Sequence, residues 1–141
     1  MIEEALCTFL NESVGVTAIV EDRIFDTYLP QEPETELPAL TFQMIDTVEE
    51  MHLSGTSGLV RSRFQLNLWA SSTRAMRTLR TAVRNRLQGY SGAMGAVTVQ
   101  MAAIDSFSSI FEDSASADTQ RMFGCQMDIF IWTILAQPDF S

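Results

Sequence analysis

Residues 58–88 read GLVRSRFQLNLWASSTRAMRTLRTAVRNRLQ, and the period of their apolar positions changes half-way along. In the first half Val60, Ser62, Phe64, Leu66 and Leu68 alternate with Arg61, Arg63, Gln65, Asn67 and Trp69. Period-two alternation in a run of branched and aromatic residues predicts a half-buried strand, because successive strand side chains point to opposite faces. After Ala70 the hydroxyls of Ser71, Ser72 and Thr73 suit a helix start, and the period becomes helical. Met76, Leu79, Val83 and Leu87 share one face, while Arg74, Arg77, Arg80 and Arg84 crowd another. Gly89 closes the helix where a left-handed residue is usual. A strand turning directly into a helix that lies back over it is a folding unit.

This unit is also where the positive charge sits. Residues 59–90 hold seven arginines and no acid, whereas residues 1–58 hold twelve acids against Arg23 alone. Residues 91–141 hold six acids against Arg121, and the whole chain carries −9. There is no lysine, so every cation is a planar guanidinium, the form favoured at interfaces for its bidentate pairing and weaker hydration. Two readings stand for the basic helix face. It is either a solvated amphipathic face or a patch that pairs with an acidic surface.

Upstream, Ile2, Ala5, Leu6, Phe9 and Leu10 recur at helical spacing, with Glu3 and Glu4 placed to complement the N-terminal dipole. Residues 14–20 predict a short second helical turn, and 23–25 a brief strand. Residues 29–38, LPQEPETELP, hold three of the four prolines and three glutamates, a composition for an exposed acidic loop. Leu40, Phe42, Met44 and Val48 alternate with Thr41, Gln43 and Thr47 as a strand, and 49–58 reads as a Gly/Ser-rich connection. Downstream, Tyr90 to Gly95 reads as a turn, then Val97, Val99 and Met101 as a strand. Residues 107–118 read as a Ser/Asp loop with a short edge strand in it. Residues 123–132 form a long strand that becomes apolar on both faces, as expected in the middle of a sheet.

The expected fold class is therefore α+β: an antiparallel or mixed β-sheet with two main α-helices packed on one face. Length predicts a single domain over 1–141, with flexible loops near 29–38, 49–58 and 107–118. Cys7 and Cys125 cannot build a disulfide framework or a four-ligand zinc site, and read as buried free thiols of a reducing compartment. The longest apolar run, Ile129 to Ala136, is too short to span a bilayer, and folding in the cytoplasm is expected.

Motifs for chemistry are missing from the chain. His52 is the lone histidine, so no histidine metal cluster and no Ser-His-Asp arrangement can be drawn, and neither metal nor cofactor is expected. No glycine pattern precedes a helix to cradle phosphate. The basic helix suits nucleic acid, but a net charge of −9 opposes long-range steering to phosphate.

The stretches MIEEALCTFLNES, VEDRIFDTYLPQ, ELPALTFQMI, SGLVRSRFQLNLWASSTRAMRTLRTAVRNRL and DTQRMFGCQMDIFIW, in that order, resemble the tail-completion (tail terminator, or tail-to-head joining) proteins of long-tailed bacteriophages. The resemblance spans nearly the whole chain. It implies a virion structural protein without an active site, forming a homo-oligomeric ring, often a hexamer, at the head-proximal end of the tail. Such a ring ends polymerisation of the major tail tube protein and meets the head completion or connector protein; no membrane is involved. A self-complementary surface suits this role, with Arg74, Arg77, Arg80 and Arg84 of one copy facing Glu32, Glu34 and Glu36 of the next. The polar strand face of Arg61, Arg63, Gln65 and Asn67 would then line a lumen in passive contact with DNA, or simply be solvated. The alternative is a DNA-contacting connector or nucleic-acid-binding accessory protein that uses the arginine-rich helix.

Overall fold

The computed structural model describes residues 2–27, 37–53, 55–112 and 122–134. In chain order the elements are α1 (Ile2–Asn11), α2 (Val14–Val20), β1 (Ile24–Asp26), β2 (Ala39–His52), β3 (Gly55–Ala70), α3 (Thr73–Leu87), β4 (Gly92–Met94), β5 (Val97–Glu112) and β6 (Met122–Ile134). The strands form one mixed sheet in the order β1-β2-β3-β6-β5-β4. Only β1 is parallel to its neighbour. The class is α+β, as the periodicities predict.

β3 and β6 form the centre of the sheet, and their register runs without a shift from Leu59↔Ile134 to Ala70↔Phe123. Paired residues share a face. Val60, Phe64, Leu66 and Leu68 therefore join Cys125, Met127, Ile129 and Ile131 on the buried side. α3 lies against this face, and α1 and α2 complete the same core. Leu6, Leu10, Leu79 and Val83 are fully buried in it, each contributing about 1.5–3 kcal/mol of transfer free energy.

The helix ends follow from local chemistry. Ser72 caps α3, its hydroxyl accepting from the Ala75 amide at 3.1 Å, and Ser13 caps α2 in the same way through Val16. Gly89 follows α3 at φ 76°, and its amide donates to the Ala102 carbonyl, stitching the helix end to β5. Gly95 has a different reason to be glycine. At φ 57° it sits so close to α1 that a Cβ there would lie 3.1 Å from Ala5 Cα.

Several expectations are corrected. The stretch 49–58 is not a long connection: β2 continues to His52 and β3 begins at Gly55, so the ladder runs almost to its tip. The loop expected at 107–118 is strand as far as Glu112, because β6 offers a backbone partner along that whole length. Its remainder, like residues 29–36 of the proline-rich stretch, lies outside the described residues. β4, within the glycine-rich turn, has no counterpart among the predicted strands, and α2 is a helix of seven residues rather than one turn.

Two alternations also break. An extra residue in β2 at Ile45 shifts the register, so Met44 faces the core while Val48 sits beside Arg61 on the opposite face. The extra residue Gln100 does the same in β5, leaving Met101 opposite Trp132 and 46% exposed, with Ala102 taking the core position. One inserted residue is a β-bulge, which pure alternation cannot register.

Candidate functional site

Two surfaces carry the residues singled out from the sequence. The first is the outer face of α3. Arg74, Arg77 and Arg84 are exposed there, on the side opposite Met76, Leu79, Val83 and Leu87. Among the described residues none of the three makes an ion pair with a carboxylate. Arg80 differs: it is half-buried, with its guanidinium 5.6 Å from the Phe107 ring centroid. Glu32, Glu34 and Glu36 lie outside the described residues.

Arg86, the fifth arginine of α3, is an anchor. Its Nε and Nη2 donate to the Phe9 carbonyl at 3.0 and 2.8 Å, and its guanidinium lies 3.6 Å from the Phe9 ring centroid. That carbonyl belongs to the last turn of α1, which has no basic residue of its own. A cation there satisfies an orphan acceptor and complements the helix dipole. Arg23 serves α2 similarly, donating to the Ile19 carbonyl at 3.4 Å and tying it to the Pro38 carbonyl at 2.9 Å.

The second surface is the helix-free face of the sheet. The register brings Arg61, Arg63, Gln65 and Asn67 together with Gln126, Asp128, Phe130 and Trp132 of β6. Arg63 pairs with Asp128 at 3.1 Å. Arg61 lies over the Phe130 ring, 4.9 Å from its centroid, and Phe130 in turn packs against Trp132. The Nε atoms of both arginines are buried without a hydrogen-bond partner. The face is thus divided. Towards the β2–β3 tip it is aromatic and aliphatic, with Val48 and Met101 flanking Arg61 and Trp132. Further along it is polar, with Gln65, Asn67, Gln126 and Ser108. The sequence reading names only the β3 half and takes the β6 stretch as apolar on both faces. Alternation with Ile129 and Ile131 already places the β6 aromatics on this one.

Among the described residues no three His, Cys, Asp or Glu side chains are grouped to hold a metal ion, and no helix is long and apolar enough to cross a membrane. Burial raises the pKa of both thiols; at Cys125 the Arg80 charge opposes part of that shift. A shallow groove between α2 and α3 is lined by Ser13, Gly15, Ile19, Thr78 and Ala82, with Arg86 as its charged member.

Against known proteins, the profile of the family described as "Tail completion protein gp17" matches residues 4–133. The chain belongs to that family. It is a bacteriophage tail structural protein, located in the virion. No curated protein matches it by sequence. Among solved structures it is similar to a chain described as "Virion of native gene transfer agent (GTA) particle", at 12% identity and a TM-score of 0.73 over 94% of both chains. At that identity the likeness is one of fold. It shows the six-stranded sheet and its helices assembled as a unit that also occurs inside a virion particle.

Proposed function

We propose that the protein is the subunit of a closed ring at the head-proximal end of the tail, where it stops tube polymerisation and joins the tail to the head connector. The role is structural rather than enzymatic. One observation of this chain carries the reading. Arg74, Arg77 and Arg84 stand exposed on a single face of a molecule whose other segments are strongly acidic. Copies arranged head to tail bring different patches together, so that basic face meets acidic residues of a neighbour (Glu32, Glu34 and Glu36 being the concentrated set), and the repeated rotation closes.

The helix-free face suits a passage for DNA. Its Arg63 charge is matched by Asp128, and its polar amides and hydroxyls offer no dense cationic track to retain phosphate. A DNA-binding regulator is less well supported, since a net charge of −9 opposes such binding in the free subunit.

Light scattering across a concentration series, alone and with tail-tube protein, tests the ring. The expected result is a discrete multiple of the 15.7 kDa subunit, at least when the tube is present. A strict monomer under both conditions overturns the reading. In particles made without the protein, electron microscopy should show full heads separate from tails of abnormal length.

A further inference from the structure

We infer that neighbouring copies join edge to edge, the free edge of β2 in one copy pairing antiparallel with the free edge of β5 in the next. This rests on the ring reading and specifies how the ring is held. Among the described residues the two outer positions of the sheet are only partly filled. β1 covers β2 at Leu40–Phe42 alone, and β4 covers β5 at Val97–Val99 alone. The segment after α3 extends that cover a little, through Tyr90 to Ala102 and the Gln88 side chain to the Ile104 amide. Among the described residues, Gln43–Val48 of β2 and Ser106–Glu112 of β5 are therefore paired on one side only.

An unpaired edge is a template for another strand unless charge, proline or brevity blunts it. Neither free stretch contains proline, each carries a single charge (Asp46 and Glu112), and Ile45, Val48 and Phe107 stand more than 40% exposed along them. Direction is right as well. β2, β3, β6 and β5 alternate, so β5 of one copy runs opposite to β2 of the next in a continued sheet.

The offset between the two edges fits closure. Asp46, near the middle of the free β2 edge, is level with Arg63, whereas Ser108 of the free β5 edge, on the same face, is level with Gln126 and hence Asn67. Joining the edges staggers each copy by the four positions from Arg63 to Asn67, roughly 14 Å along the strand, per four strand spacings of about 19 Å. That stagger corresponds to a strand tilt of about 35°, at the lower end of the range at which sheets close into barrels. The same offset brings β1 of the next copy against Phe111 and Glu112 at the end of β5, and sets β4 past the β2–β3 tip. The two short strands then act as end-stops that fix the register. The bulges at Ile45 and Asp105 lie on these two strands and supply the bend that closure needs. With helices on one face only, the bulkier helical layer takes the larger radius and the helix-free face turns inward.

The test is amide exchange on the unmodified protein, free and in the assembled ring, with ring mass measured on the same sample. Residues 43–48 and 106–110 should exchange about tenfold or more slowly in the ring. A second reading uses Asp46→Cys with Ser108→Cys in a Cys7→Ser background. Within one copy these positions lie three strand spacings apart and four positions out of level, about 20 Å, beyond disulfide reach. Oxidation should give a covalent ladder beyond dimer, whereas either single variant stops at dimer. A ring with both edges exchanging at free-subunit rates, and no ladder from this pair or from Asp46→Cys with Ser106→Cys, overturns edge pairing and leaves the ring standing. A monomer under every condition, tube protein included, removes the ring and the edge pairing with it.

Discussion

Arg86 and Phe9 meet twice: the guanidinium stacks 3.6 Å from the ring centroid and also donates two hydrogen bonds to the same residue's carbonyl. Phe9 leans in turn on Tyr90, ring centroids 4.4 Å apart, so one arginine clamps α1 to the end of α3. Arg86→Ala should cost about 1.5–3 kcal/mol, because it removes hydrogen bonds from a charged donor together with the stacking of that charge on the ring. Arg86→Lys should recover only part, since an ammonium cannot stack and donate as the planar fork does. Urea unfolding should show the midpoint falling at constant slope, and an unchanged midpoint for Arg86→Ala would contradict the clamp.

Leu79 is fully buried at the middle of the α3 stripe, against the sheet. Leu79→Ala should destabilise by roughly 2–5 kcal/mol, the cost of the lost transfer energy and the cavity left behind. Calorimetry checks this, and a loss below that range would mean the neighbouring helices collapse into the space.

Reversing Arg77 and Arg84 together to glutamate should behave differently. Both are exposed, so the fold should lose no more than about 1 kcal/mol, chiefly from Arg84→Glu at the helix C-terminus. Assembly with tail-tube protein should fail nonetheless, and charge reversal within Glu32, Glu34 and Glu36 should restore part of it. Normal yields of infectious particles from the double variant would show that this face makes no contact.

Burial pushes the thiols of Cys7 and Cys125 above their ordinary value. A raised folded pKa means the contribution to stability is complete below the unfolded thiol value, about 8.5, and is lost as pH rises through the folded one. Iodoacetamide at neutral pH should therefore alkylate the native protein slowly, Cys125 reacting only on unfolding. A Cys7→Ser, Cys125→Ala variant should lose part of the alkaline decline in stability; an identical decline would assign it to other groups.

The central strand-helix unit is legible in the sequence because both periods are clean: twelve pairs of β3 with β6 contain no shift, and the α3 stripe recurs without interruption. The outer strands are not, and for a local reason. Ile45, Gln100 and Asp105 each add a residue that alternation cannot absorb, so alternation alone assigns Val48 and Met101 to the wrong face. Among the arginines, charge alone does not separate Arg86 from Arg77 and Arg84. What separates them is the tertiary placement of Phe9, seventy-seven positions away, which no spacing rule within α3 contains.

The three single-residue bulges, at Ile45, Gln100 and Asp105, all lie in β2 and β5, and this governs how such a chain can drift. Losing a bulge residue such as Gln100 leaves Val99 facing inward, Met101 outward and Ala102 inward, so no other side chain turns over. Losing one residue from β3 or β6 instead sends everything beyond it to the opposite face. Single-residue gains and losses should therefore accumulate in the flanks of this sheet while its middle keeps constant length. A fold of this kind found at 12% identity over 94% of the chain shows how little particular sequence that division of faces requires.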